Sequence, residues 1–453
     1  MHRIFSAIVL LVMCTHCQKP EQSRQSEAPA LALTNQPEWM KSAVLYQVNI
    51  RQYTPEGTFI AFQKHLPRLK ELGVDILWLM PIHPIGEERR IGTLGSFYAV
   101  QDYYGINGDM GTQDEFRALI RATHEAGMYV LMDWQSEATA WDHVLMESHP
   151  EWYLRNADGE LITPENRPDV VLLDYNQGAL KEYLKEVMTY WVREFDIDGY
   201  GLHVNGPGMS SFWADVRKRL AAEKSVILLA DSPGQAVPEV FDVAGAWQLE
   251  RAMQAISRGE ANARHIQEFI ATQADSGYDG SIHMLYTTNH EKNGLEGSVF
   301  DRFGKAAEVY AVLTYVLEGV PMIYSGQEVG LNRSLSLTEK DEIPWGDHPF
   351  NALYSRLNKL KKDNQALWTG PWGGNLESLR TSNPDQIIAI YRVKDGNRVL
   401  AVFNCSPGEV TFAISSGQFH GDYKGFKSRS TVTLNEKDQL TLPAWGYEVY
   451  IAR

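Results

Sequence analysis

Five short stretches set acids, an imidazole or an amide at the end of an apolar run: "MPIHP", "MDWQSEA", "GLHVN", "LLADS" and "TTNHE". Together they offer Asp133, Glu137, His203, Asp231, Asn289, His290 and Glu291. Carboxyls and imidazoles are the side chains that trade protons near neutral pH, and a carboxylate is also a nucleophile that can form and release an ester. The stretch "DGYGLHVNG" is the odd one, because His203 stands at the mouth of an apolar alternation with Gly201 two residues before it. An acid–base residue and a space-filler are both open readings of that imidazole. Cys14 and Cys17 lie near the N-terminus and only Cys405 elsewhere, so no Cys/His cluster has zinc spacing. No spacing among the acids singles out a metal either; Glu137, Asp231 and Glu291 read as an anionic pocket or as a solvated cleft rim.

Something must hold these ends together. "AVLYQVNI", "VDILWLMPI", "MYVLMDW", "DIDGYGLHV", "KSVILLAD", "IHMLYTTNH" and "VPMIYSG" are short apolar runs of the kind found in strands covered on both faces. Amphipathic segments alternate with them. "GTFIAFQKHLPRLKELG" has apolar positions at helical spacing, and "TQDEFRALIRATHEAG" opens on a Thr cap with acids in its first turn and closes on Gly. Repeated strand–helix units with buried strands imply a parallel sheet, and about eight of them favour a closed (β/α)8 TIM barrel, here assigned to residues 39–370. In such barrels the site forms at the C-terminal ends of the strands, where the five stretches fall. No G-x-G-x-x-G follows the first strand, which argues against a dinucleotide site.

After "LKKDNQALWTG" the pattern changes to short alternating runs, among them "QIIAIYRV", "RVLAVFNC", "EVTFAI" and "YEVYIA", separated by turn residues. Residues 371–453 are therefore expected to form a C-terminal antiparallel β-sandwich. At the other end a basic start, "MHR", precedes the ten-residue run "IFSAIVLLVM", too short to span a bilayer core of roughly 30 Å as a helix. Residues 1–17 read as a signal peptide, and "LLVMC" before Cys14 resembles a bacterial lipobox, with Cys17 a second candidate. Residues 18–38 read as a polar tether. The expected location is secreted or on the cell envelope, with a lipid anchor as the link to membrane. A net charge of −15 repels phosphate backbones, so nucleic acid is not an expected partner.

From Val44 onward the ordered pieces resemble the α-amylase family of glycoside hydrolases. "VNIRQYTPEGTFIAFQKHLPRLKELGVDILWLMPIHPIG" is similar to that family's first strand, first helix and second strand. "GSFYAVQDYYGINGDMGTQDEF" is similar to the segment whose Tyr stacks on the sugar, which places that role on Tyr98, and "GVPMIYSGQEVGL" to the eighth strand and its turn. The resemblance implies α-glucan or maltooligosaccharide as ligand and other surface glucan-uptake proteins as companions. It implies no cofactor, though it allows calcium at Asn107 and Asp109 of "GINGDMGT", which otherwise form a plain turn.

The family's four chemical motifs are each altered. D-x-x-x-N-H becomes "DWQSEA", which keeps Asp133 and has Glu137 and Ala138 at its last two positions. G-x-R-x-D becomes "GYGLH", with Gly201 for the Arg and His203 for the nucleophile. The general-acid Glu becomes Asp231, and N-H-D becomes Asn289, His290 and Glu291. A retaining glycosidase needs two carboxyls about 5–5.5 Å apart. An imidazole nucleophile gives a cationic adduct and supplies no negative charge to the oxocarbenium-like transition state. Without the Arg nothing orients a carboxylate by bidentate bonding. Displacing a reacting group by about 1 Å costs roughly a hundredfold. Three readings follow. The favoured one is a pseudoenzyme that binds α-glucan through Tyr98, Asn289, His290 and the nearby Trp134 and Trp141. The second is a rebuilt hydrolase or lyase-like enzyme with His203 as base and Asp231 or Glu291 as acid. The third is a structural partner that binds no sugar.

Overall fold

The structure is a computed structural model that describes residues 36–204, 209–231, 240–275 and 282–452. The leader 1–17 and nearly all of the tether 18–38 lie outside the described residues. Among those described, eight parallel strands close into a barrel: β1 (Leu45–Val48), β2 (Ile76–Leu79), β3 (Tyr129–Trp134), β6 (Gly199–Leu202), β7 (Ile227–Ala230), β8 (Val243–Gly245), β9 (Ile282–Leu285) and β10 (Val320–Tyr324). The intervening β4 (Ala138–Ala140) and β5 (Val170–Leu172) form a separate antiparallel pair that rises after β3.

Side chains alternate between two environments along each barrel strand. Leu45, Ile76, Trp78, Leu131, Ile227, Leu229, Ile282, Met284 and Met322 fill the barrel interior, while Tyr46, Leu77, Val130, Leu228 and Ile323 pack outward under the helices. A parallel sheet apolar on both faces requires this double burial. The segment Glu38–Ser42 closes the floor: Met40 joins the interior cluster, and Trp39 stacks on Tyr129, the first residue of β3, with ring centres 3.8 Å apart. Gly199 starts β6 at φ 149, where a Cβ would lie 1.9 Å from the Ile227 carbonyl oxygen, so only glycine lets β6 pair this closely with β7.

Local chemistry explains the helix boundaries. Thr112 and Glu115 form a reciprocal capping box at the start of helix Gln113–Glu125. The single helix expected over "GTFIAFQKHLPRLKELG" is instead two, Phe59–Gln63 and Leu66–Leu72. Pro67 sits in the first turn of the second, the one place in a helix where a missing N–H costs nothing, and so makes a new start there.

Beyond helix Pro349–Asp363 the chain builds β11 (Asn375–Leu379), β12 (Ile387–Lys394), β13 (Asn397–Asn404), β14 (Val410–Phe412), β15 (Gly421–Gly425), β16 (Thr431–Leu434), β17 (Leu440–Leu442) and β18 (Tyr447–Ala452). Six form an antiparallel sheet in the order β11-β12-β13-β18-β15-β16, and β14 pairs with β17. Ile388 and Ile390 face the barrel helices, whereas Ile387, Ala389 and Tyr391 enter a second core with Val410, Phe412 and Leu442.

Candidate functional site

The barrel register brings the C-terminal ends of β3, β6 and β7 side by side. Asp133 pairs with Gly201 and Leu202 with Ala230, so Asp133, His203 and Asp231 emerge on adjoining strands. Asn289 follows β9 and caps helix His290–Glu296 by accepting a bond from the Lys292 backbone N–H at 2.8 Å. His290 and Glu291 are therefore held in a first helical turn beside the other three.

These side chains form one cluster around Tyr98. The Tyr98 hydroxyl lies 2.7 Å from His290 Nε2 and donates to Asp133 Oδ2 at 3.3 Å. His203 meets the Tyr98 ring edge-on, with centres 5.0 Å apart, and the His290 ring at 5.9 Å. Its Nε2 lies 3.3 Å from Asp133 Oδ1 as an ion pair. Burial works against a charged imidazole here. The charge and contact of Asp133, with the charges of Asp231 and Glu291, outweigh that penalty and raise His203 to about 9. At neutral pH His203 is an imidazolium and a proton donor, so the geometry reverses its expected role as a base. Burial, opposed by the His203 charge and assisted by Asp133 and Glu291, raises Asp231 to about 6. His290 falls well below its ordinary value through burial and the neighbouring His203 charge, and is neutral.

The floor beneath this cluster carries an interaction that is hard to foresee. A Cβ on Gly201 would lie 2.3 Å from Nε1 of Trp78 and 2.4 Å from its Cε2. The wholly buried indole of Trp78 thus occupies the start of the space that any side chain at 201 needs. Near Asp231, Trp247 and Tyr286 stand edge to face with centres 6.4 Å apart.

Two expected aromatic platforms are placed otherwise. Trp134 is 1% exposed; it stacks on Tyr103 at 4.8 Å and meets His83 and Tyr200 edge-on. It fills the core under β3 and offers no face to a ligand, which corrects its assignment to the binding set. Trp141 donates its indole N–H to the Pro168 carbonyl, and the Arg89 guanidinium covers its ring at 3.4 Å. Glu137 also stands apart, its carboxylate 3.5 Å from Gln135 Nε2. Residues that the sequence reading did not single out take part instead: Gln47 against His290, Trp78 under Gly201, and Arg167 over the Tyr98 ring at 5.8 Å.

The Asn107 side-chain oxygen already accepts the Asp109 backbone N–H at 3.0 Å, closing a plain Asx turn, and Asp109 is exposed. Among the described residues no group of three His, Cys, Asp or Glu side chains is placed to hold a metal ion.

Comparison with known proteins bears on this architecture. The family profile of the α-amylase catalytic domain matches residues 34–156. A solved maltogenic α-amylase, AmyB from Thermotoga neapolitana, superposes with a TM-score of 0.83 at 27% identity, covering 91% of this chain and 99% of that one. In profile and in fold the chain is similar to the α-amylase family. The α-amylase of Lactobacillus plantarum superposes with a TM-score of 0.78 at 27% identity over 92% of this chain and all of the other. In sequence, α-amylase MalA of Haloarcula japonica is 23% identical over 432 residues, 90% of this chain and 63% of that protein. The chain spans about three-fifths of the first curated relatives it matches, 63% of one and 58% of the next. The altered motif positions Asp133, His203, Asp231 and Glu291 lie together near Tyr98, at the C-terminal ends of the barrel strands.

Proposed function

We propose that this chain binds α-glucan in the cleft over Tyr98 and does not hydrolyse it. One observation carries the reading: the position that the family resemblance assigns to an anionic nucleophile holds His203, protonated and paired to Asp133. An imidazolium has no lone pair to attack an anomeric carbon, and its charge opposes the positive charge that develops there. Trp78 fills the room in which a positioning Arg would begin.

Binding has separate support. Buried polar groups in folded proteins are almost always satisfied, so unsatisfied ones that converge call for a partner. The Tyr286 hydroxyl and the Asn289 side-chain N–H2 are buried without one, and the buried Asp231 carboxylate has the Trp247 indole as its side-chain hydrogen-bond partner. Acceptors and donors are mixed here, and a sugar hydroxyl is both at once. The half-buried Tyr98 stands beside them, its hydroxyl between His290 and Asp133. MalA and AmyB, named as an α-amylase and a maltogenic α-amylase, point to the same ligand class. On this reading the protein is a secreted or envelope-anchored glucan binder, and other surface glucan-uptake proteins are its natural companions. Titration calorimetry with maltoheptaose tests the binding half: saturable heat is expected, and a flat titration at millimolar sugar sinks it. A reducing-end assay on the same sugar tests the other half, with no new ends expected. Turnover that vanishes in His203→Ala would establish the rebuilt enzyme instead.

A further inference from the structure

Gln47 is fully buried on β1 and touches His290 at two points. Its Oε1 accepts the His290 backbone N–H at 3.0 Å, and its Nε2 lies 3.0 Å from His290 Nδ1. The first contact fixes the second. A backbone N–H can only donate, so the amide arm it meets must be oxygen and the other arm must be the N–H2. That N–H2 can only donate, so Nδ1 is the bare nitrogen and the ring proton resides on Nε2. The Nε2–H then donates to the Tyr98 hydroxyl oxygen at 2.7 Å, and the Tyr98 hydroxyl passes its own proton towards Asp133 Oδ2 at 3.3 Å.

We propose that Gln47 is a positioning residue that fixes the tautomer of His290 and thereby directs a hydrogen-bond relay, Gln47 to His290 to Tyr98 to Asp133, across the floor of the cleft. The relay has a consequence for specificity. With its proton committed to Asp133 and one lone pair taken by His290, Tyr98 can only accept from a bound molecule. The group seated over it must be a donor, such as a free sugar hydroxyl, and not an ether or carbonyl oxygen. This deepens the glucan-binding reading and rests on it for the identity of the ligand, but the relay itself is a property of the free protein. The burial and neighbouring charge that keep His290 neutral act in the same direction.

Long-range 1H–15N correlation spectra of the full-length protein test the relay without any ligand, the His290 ring being assigned by its loss in His290→Asn. The wild type should show an unprotonated Nδ1 and a protonated Nε2 at neutral pH. Gln47→Glu replaces the donor with an acceptor and should protonate Nδ1, and Gln47→Met should release the preference. Both variants should bind maltoheptaose about tenfold more weakly, the scale of one hydrogen bond. A wild-type ring protonated on Nδ1, or variants that keep the wild-type ring pattern in a folded protein, overturns the proposal. The predicted ring pattern together with a flat titration would instead sink the glucan reading and leave the relay standing.

Discussion

His203 decides the residue-scale account, and pH exposes it. Its folded value of about 9 lies above the ordinary value of roughly 6.5 for a free imidazole. A raised basic group contributes its full stability below the unfolded value and loses it as pH climbs through the folded one. Stability should therefore fall between about pH 6.5 and about pH 9, by on the order of 3 kcal/mol, through this residue. Asp231, raised to about 6, loses its own contribution between its unfolded value, roughly pH 4, and about pH 6, below that window. Denaturant melts across the pH range should show the alkaline slope in the wild type and a flatter one in His203→Gln; equal slopes in both contradict the ion pair. Restoring the expected nucleophile alone should not restore chemistry. His203→Asp places a second carboxylate by Asp133 with no cation between them, so the variant should be less stable above neutral pH and still release no reducing ends from maltoheptaose.

At the scale of elements, β2 and β6 are coupled across the barrel interior through Trp78 and Gly201. Gly201→Ala should cost about 1–3 kcal/mol, the usual penalty for overpacking a filled core. Combining it with Trp78→Leu should recover part of that loss in a double-mutant cycle, and strict additivity would show that the two do not share space. The strands themselves are plain in the sequence, because runs such as "VDILWLMPI" and "VPMIYSG" must be apolar on both faces. Strand β8 is not: Val243–Gly245 is three residues long and mostly small, so neither length nor periodicity marks it. The β4–β5 pair hides for the same reason. The site divides along similar lines. His203, Asp231 and the Asn289–Glu291 run are visible as polar residues ending apolar runs, and Tyr98 only through the family resemblance of its segment. Gln47 and Trp78 sit inside such runs, where a polar amide reads as an interruption and an indole as filler. Trp134 misleads because its place in the chain beside Asp133 says nothing of its direction: side chains on a strand alternate, and Asp133 and Trp134 must part.

At the scale of the whole molecule, the barrel and the C-terminal sheets share a buried seam. Arg392 of β12 is fully buried and donates to the carbonyls of Val316, Leu317, Trp368 and Gly374. Lys361 is likewise buried, bonded to the carbonyls of Gly319 and Leu367 at the same seam. Removing one buried cation leaves several acceptors unsatisfied at about 1–3 kcal/mol each. Arg392→Met should thus lower stability by several kcal/mol and split a single calorimetric transition into two; an unchanged melt would show that the seam is held by apolar packing alone. Through that seam the C-terminal sheets brace the barrel end opposite the Tyr98 cluster, where Glu38–Ser42 also sits. On the proposed reading the closed barrel binds glucan at a site without a nucleophile. Prolonged titration calorimetry with maltoheptaose, followed by analysis of the recovered sugar, tests it most directly. Saturable binding with the oligosaccharide returned intact is the predicted result, and either a flat titration or shortened sugar in the recovered sample would contradict it.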